Sequence, residues 1–266
     1  WLVEIRLLVS GMVLLLYSVL KYGWKTTCSI WMRWKDAVAI LIFGIGGMLS
    51  VQLTFYLAIH HGNAATATLL QYTAPVLVLI YTLLRNVKLP RLVDGLSILF
   101  ALLGTALLVT GGDVDQIAIS SEALFWGLLS AVALAFYTLQ PVKLLAKFAS
   151  PIVVGWGMMI AAVAFSYSQS PWTFSLSLFS DLYLFLGLVF VILFGTLLGF
   201  TFFLTSLRYL FPYEASILSC FEPLTAVLIG VVWMNLSFSL WDWLGSVLII
   251  LAVMLISWKK EEQKKK

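Results

Sequence analysis

A chain of 266 residues that is 62% hydrophobic and 11% charged, with a mean hydropathy of +1.04, is not a soluble domain, whose charged fraction is about 25%. Its 16 Lys and Arg exceed 12 Asp and Glu to leave a net charge of +4, and the position of that excess in loops and at the C-terminus points to lipid headgroups rather than nucleic acid. The two cysteines, Cys28 and Cys220, have no partner or metal-ligand spacing, so no disulfide, metal or cofactor is expected.

Apolar runs of the roughly 17–25 residues that cross a bilayer recur with short polar breaks. A spanning segment must satisfy its own backbone, so each run is read as a helix; the alternation of a lipid-facing barrel strand is absent. Nine spans are predicted, near residues 2–20, 37–59, 64–84, 92–111, 122–142, 151–168, 182–207, 212–234 and 241–258. The fold class is therefore an all-α polytopic membrane protein. The first run carries Glu4 and Arg6 and lacks a small-residue cleavage site, which is not the pattern of a signal peptide. It does not begin with Met, and an upstream segment is expected to be missing.

Loop charge sets the orientation. Lys21, Lys25, Arg33 and Lys35 fill the first loop; Arg85, Lys88 and Arg91 the third; Lys143 and Lys147 the fifth; Arg208 the seventh. The loops between these carry no Lys or Arg, and residues 259–266 form a basic tail. Every Lys and Arg except Arg6 falls on one side, which is read as cytoplasmic and places the C-terminus inside.

The chain also repeats. Gly47 and Gly195 differ by 195 − 47 = 148 positions, and the same offset aligns Leu49 with Leu197, Phe55 with Phe203, Ala67 with Ala215, Leu70 with Leu218 and Pro75 with Pro223. By the charge rule, 64–84 and 212–234 run in opposite senses, as in the inverted repeats of secondary transporters. The expected division is residues 1–114 as a first repeat lacking its first helix, 115–258 as a second repeat of five helices, and 259–266 as a cytoplasmic tail.

Pro75 and Pro223 sit in mid-span, where each removes a hydrogen bond to the carbonyl four residues earlier, at Gln71 and Ser219. Two readings stand: a shape kink, or a discontinuous helix whose freed carbonyls line a central site. Thr68, Gln71, Tyr72 and Pro75 share one helical face, and their repeat mates Ser216, Ser219, Cys220 and Pro223 form the corresponding face. Glu222 is the one carboxylate placed near a bilayer midplane, where it needs a proton, a partner or water. It is a structural acid, a proton-coupling site or an amine-binding site. Gln52 and Tyr56, then Trp126, Tyr137 and Gln140, then Thr201 form weaker polar stripes along three further spans, and lone polar residues of this kind also serve to join helices. Glu214 after Pro212 is read as a helix N-terminal acid. No nucleophile–base pairing or phosphate loop marks an enzyme.

With these residues in place, the sequence resembles the EamA branch of the drug/metabolite transporter superfamily. The resemblance rests on Phe55-Tyr56-Leu57-Ala58 leading through Asn63-Ala64-Ala65-Thr66-Ala67 to Thr73-Ala74-Pro75, on Trp126-Gly127 and Ala135-Phe136-Tyr137-Thr138, and on Ala215-Ser216-Ile217-Leu218 with Phe221-Glu222-Pro223-Leu224. It implies ten helices in two inverted five-helix repeats around a central cavity, with the first helix absent here. It implies export of amino acids, amines or related small metabolites by alternating access, across the bacterial cytoplasmic membrane. Arg6 matches a frequent family arginine and is read as structural. The Gly-Glu pair that the family places after two of its helices is replaced here by Arg85-Asn86-Val87 and Met234-Asn235. The alternative function is a non-transporting membrane component, a sensor or assembly factor, on the same scaffold.

Orientation is testable by cysteine labelling of intact cells with an impermeant thiol reagent. Lys88→Cys, Lys143→Cys and Lys260→Cys should remain unlabelled, while Asp115→Cys and Ser175→Cys should react. Labelling of the first three from outside reverses the topology.

Overall fold

The computed structural model describes residues 2–86, 92–113, 120–166, 182–234 and 239–264. Lys88, Arg91, Asp115 and Ser175 lie outside the described residues, as do 167–168 at the end of the sixth expected span. Among the described residues every element is helical. Helix α1 (Leu2–Tyr22) leads through the short α2 (Trp24–Cys28) into α3 (Trp34–Ile42). A π-helical segment, Phe43–Leu49, then joins α3 to α4 (Ser50–His61). Asn63 caps α5 (Ala64–Gln71) by accepting from the Thr66 amide at 2.7 Å, the role its short amide favours. Next come α6 (Ala74–Asn86), α7 (Leu92–Thr110), α8 (Ser121–Leu139), α9 (Val142–Leu145) and α10 (Ser150–Ser166). Helix α11 (Leu182–Phe190) passes through a second π-helical segment, Val191–Leu198, into α12 (Gly199–Ser206). Helices α13 (Pro212–Leu218), α14 (Phe221–Met234) and α15 (Leu240–Lys264) complete the order.

Each of the nine expected spans falls on these helices in sequence. Five are long and apolar enough to cross a membrane: Leu2–Tyr22, Trp34–His61, Leu92–Thr110, Ser121–Leu145 and Leu182–Ser206. Shorter apolar helices lie at Thr66–Thr82, Ser150–Ser166 and Leu240–Leu255. The expected span 122–142 is interrupted, because Pro141 cannot extend α8 and the last regular bond is from the Gln140 amide to the Phe136 carbonyl at 2.9 Å. The tail expected after 258 continues α15 to Lys264, since Lys, Glu and Gln are all good helix formers. Gly111 and Gly112 end α7 at φ 58° and 80°, a left-handed conformation that glycine adopts without steric cost.

The element boundaries recur at the offset found in the sequence. Adding 148 to α3 (34–42) gives 182–190, the bounds of α11, and adding it to the first π segment (43–49) gives 191–197, within the second. Helix α1 maps onto α10, α5 onto α13, α6 onto α14 and α7 onto α15, with ends differing by a few residues.

Two compact units result, Trp1–Gln52 with Phe136–Leu210 and Leu53–Ala135 with Phe211–Lys266. In the first, α1 packs along its mate α10 with little space to spare. A Cβ at Gly11 would meet Met159 at 3.0 Å, and one at Gly155 would meet Leu15 at 3.0 Å. In the second, α7 packs along its mate α15, and the Gly104 and Gly245 backbones face each other so closely that a Cβ on either would lie 2.8 Å from the other's carbonyl oxygen. Small residues permit this approach, and van der Waals packing holds it, because lipid offers no hydrophobic gain from burying one apolar helix against another. Leu108, Leu224 and Ile249 form a buried cluster beside this contact, with Phe221 packed against it.

The close approach predicts a contrast between two glycines of α7. Gly104→Ala should lower stability by about 1–3 kcal/mol through overpacking. Gly95→Ala, whose added methyl meets nothing within 4 Å, should be neutral or stabilising by up to about 1 kcal/mol. Denaturant unfolding of the purified protein in detergent measures both, and equal effects would refute the α7–α15 contact.

Candidate functional site

Both proline-bearing spans are discontinuous. Helix α5 stops at Gln71 and α6 restarts at Ala74; α13 stops at Leu218 and α14 restarts at Phe221. Pro75 is therefore the second residue of a new helix and Pro223 the third, positions where a missing N–H costs no helical bond. The two-residue breaks are closed by tight turns. The Thr73 amide donates to the Leu70 carbonyl at 3.1 Å, the Cys220 amide to Ile217 at 3.0 Å and the Glu222 amide to Ser219 at 3.0 Å. Both helices are thus interrupted just before their prolines.

The breaks meet within the second compact unit. The Tyr72 hydroxyl lies 3.1 Å from Glu222 Oε2 and 3.2 Å from the Ser219 carbonyl oxygen. Tyr72 is buried, whereas Glu222 is exposed. Glu222 has no cationic partner among the described residues. Next to Tyr72, Gln71 Nε2 donates to Ser130 Oγ on α8 at 2.7 Å. The Ser216 carbonyl takes the Ser219 hydroxyl at 2.7 Å and the Cys220 thiol at 3.9 Å. Thr68 supplies the carbonyl for the last regular bond of its helix, from the Tyr72 amide at 2.9 Å. Pro75 and Pro223 are both buried. Sequence reasoning thus placed Tyr72, Ser219 and Glu222 on two related faces, and the structure joins them directly.

The other expected pathway residues have surroundings of their own. Tyr56 is exposed and stacks on His60 with ring centroids 6.3 Å apart, and half-buried Trp126 meets Phe125 edge-on at 5.2 Å. Gln52, Tyr137, Gln140 and Thr201 belong to the first compact unit. There Tyr137 is buried between Phe43 and Phe203, stacked at 5.5 and 5.8 Å, with Phe200 edge-on at 5.9 Å. Gln140 Nε2 donates to the Ala39 carbonyl at 2.7 Å, which makes it a tie between α3 and the end of α8. Gln52 and Thr201 are half-buried. Glu214 accepts from the Phe211 amide at 3.0 Å and closes the start of α13, as its position after Pro212 suggests.

Sequence reasoning did not find the two π segments. A widened turn leaves carbonyls able to take extra donors, and several do. Ser50 Oγ donates to Ile45 O at 2.9 Å, Thr196 Oγ1 to Val191 O at 3.2 Å and Ser10 Oγ to Ile192 O at 3.3 Å. Arg6 Nε donates to Thr196 Oγ1 at 2.8 Å, which gives the basic residue that lies apart from the loop and tail cations a structural partner. The signal available in the sequence was the matched Gly47 and Gly195 with Gly44 and Gly46 nearby, since glycine lowers the resistance of a helix to local widening.

The sequence profile of the EamA-like transporter family matches residues 1–110 and 121–258. An uncharacterized inner membrane transporter of Salmonella typhimurium, YicL, is 40% identical over 259 residues, covering 97% of this chain and 84% of that protein. A crystal structure of a protein 16% identical in sequence superposes with a TM-score of 0.77, covering 96% of this chain and 86% of the other. That likeness establishes a shared fold.

The Gln71–Ser130 bond should be measurable as a coupling. Gln71→Leu and Ser130→Ala should each cost about 0.6–1.7 kcal/mol, the range of hydrogen bonds between membrane helices. The double variant should cost little more than either alone. Additive losses in a double-mutant cycle of unfolding free energies would show that the two side chains do not act as a pair.

Proposed function

The chain belongs to the EamA-like transporter family, and on that premise we propose that it is a secondary carrier exporting small metabolites, namely amino acids, amines or related compounds, by alternating access. The inner-membrane relative and the run of apolar helices support a multi-pass location in the bacterial cytoplasmic membrane, and the loop-charge rule puts the basic loops and the C-terminal tail on the cytoplasmic side. Both the family and the relative's name are those of transporters rather than enzymes.

The observation that carries this reading is the pair of broken helices, related by the sequence repeat and linked through Tyr72, Ser219 and Glu222. Broken helices at mid-depth present backbone carbonyls and helix ends to a solute, which is how secondary carriers hold substrates at the repeat interface. Such partners are weak enough for a substrate to be released again. In this reading Thr68, Gln71, Tyr72 and Pro75 supply one wall of the pathway and Ser216, Ser219, Glu222 and Pro223 the other. Tyr56 and Trp126, in the same compact unit, extend it along the neighbouring helices. The repeats, 1–114 and 115–258, exchange roles as the site opens to one side and then the other.

Flux decides the matter. Proteoliposomes carrying the full chain, loaded with a radiolabelled amino-acid mixture or a radiolabelled diamine, should release label faster than protein-free vesicles. Pro223→Ala, which lets α13 and α14 close into one helix, should slow release about tenfold or more, equivalent to ~1.4 kcal/mol on the barrier. Release equal to that of empty vesicles for every compound would leave a non-transporting component as the better description.

A further inference from the structure

We propose that Tyr72, Ser219 and Glu222 form a proton-operated relay, in which Glu222 takes up the coupling proton and Tyr72 passes its arrival to the broken α13–α14 helix. Its use in transport rests on the carrier reading above; its chemistry does not.

The argument is one of hydrogens and acceptors. The Tyr72 oxygen stands 3.1 Å from Glu222 Oε2 and 3.2 Å from the Ser219 carbonyl oxygen. A phenol has one hydrogen to donate, a backbone carbonyl has none, and an ionised carboxylate has none. With Glu222 ionised, three oxygens share one hydrogen, and the charged acceptor draws it, since bonds to an ionised group are the stronger ones. With Glu222 protonated, a second hydrogen is present. The carboxyl O–H donates to the Tyr72 oxygen, and the Tyr72 O–H turns to the Ser219 carbonyl. Both contacts are then filled. Proton uptake therefore moves the phenol hydrogen from the carboxyl group to the backbone at the helix break. No bond between heavy atoms changes, and the proton leaves from the carboxyl oxygen that received it.

Placement supports the direction of the relay. Glu222 is exposed while Tyr72 is 7% exposed, so of the two groups the acid is the one open to a proton donor from outside the protein. The Ser219 carbonyl is the group that Pro223 leaves without its regular helical partner, and besides Tyr72 it is held by the Glu222 amide at 3.0 Å. Adding or removing the phenol bond therefore alters the hold on the break itself. No cationic side chain among the described residues pairs with Glu222.

Other titratable groups lie on the elements of the same compact unit. Arg85 lies in the last turn of α6, Asp94 in the first turn of α7, Glu214 in the first turn of α13 and Asp242 in the first turn of α15. Cys220 directs its thiol to the Ser216 carbonyl, and Tyr213 lies beside Glu214 at 3.5 Å. Of all these, Tyr72 is the group hydrogen-bonded to Glu222.

Infrared difference spectra of the full chain in lipid, acid minus alkaline buffer, test the relay without any transported compound. The wild type should gain a protonated-carboxyl band together with a shift of a tyrosine ring C–O band. Glu222→Gln, which keeps the shape and cannot titrate, should lose that part of the carboxyl band and the tyrosine shift together. Tyr72→Phe should keep the carboxyl band and lose the tyrosine shift. Should Glu222→Gln fail to fold by circular dichroism, Glu222→Asp serves, keeping a carboxyl band while its shorter reach weakens the tyrosine response. Spectra of Glu222→Gln identical to wild type overturn the proposal, as does a tyrosine shift that survives Tyr72→Phe. A Glu222 that stays ionised throughout, with no carboxyl band to lose, also overturns it and leaves the carboxylate as a seat for a cationic substrate. Vesicles without flux would sink the carrier reading and leave this spectral result standing.

Discussion

Inside a bilayer a backbone carbonyl deprived of its helical partner has no water to turn to, so it must be satisfied by the protein or by whatever occupies a cavity. Pro75 and Pro223 impose that condition twice, at equivalent points of the repeat. At the second break the answer is visible. The Ser219 carbonyl is taken by the Glu222 amide and by the hydroxyl of Tyr72, a residue from the first break. One proline thus dictates the partner of the other's helix end, and the carboxyl group of Glu222 is drawn into the same contact.

Duplication explains the surrounding scaffold. In each compact unit the most extensive contact is between a helix and its own repeat mate, α1 with α10 and α7 with α15. Two copies of one apolar surface are suited to each other when both carry small residues at the crossing, as Gly11 and Gly155 do in the first unit and Gly104 and Gly245 in the second. The units consequently draw on both halves of the sequence, and α4 and α8 each supply residues to both. A boundary drawn between repeats in the sequence and a boundary drawn between packed bodies in space answer different questions.

Much of this could be read from the residues alone. Apolar length and polar punctuation located the helices, because the bilayer fixes the length of a span, and paired prolines marked the breaks, because a missing N–H acts locally. The residues that required the structure depend on tertiary contact. Tyr137 looks like a pathway residue in a polar stripe, yet Phe43, Phe200 and Phe203 enclose its ring. Gln140 lies in the same stripe and holds the Ala39 carbonyl. The π segments leave only the trace of their glycines, and the donors that meet their carbonyls, Ser50 and Thr196 nearby and Ser10 from α1, are visible in the structure alone.

The repeat also shows where function must have diverged. A symmetric pair of breaks would place like against like, but the mates here differ: Tyr72 corresponds to Cys220, Gln71 to Ser219 and Glu222 to Ala74. The phenol comes from one copy and the carboxyl group from the other, and neither has an equivalent at the opposite site. Two phenols would offer two hydrogens and no charge, and two carboxylates at this depth would each add an insertion cost of several kcal/mol. One of each gives a donor–acceptor pair whose state can change by a single proton. Packing surfaces such as the α7–α15 crossing tolerate near-identity because both sides need the same small residues. The cluster of Tyr72, Ser219 and Glu222 is not its own mirror, and its asymmetry, set within a scaffold that otherwise repeats at an offset of 148 residues, is what singles it out.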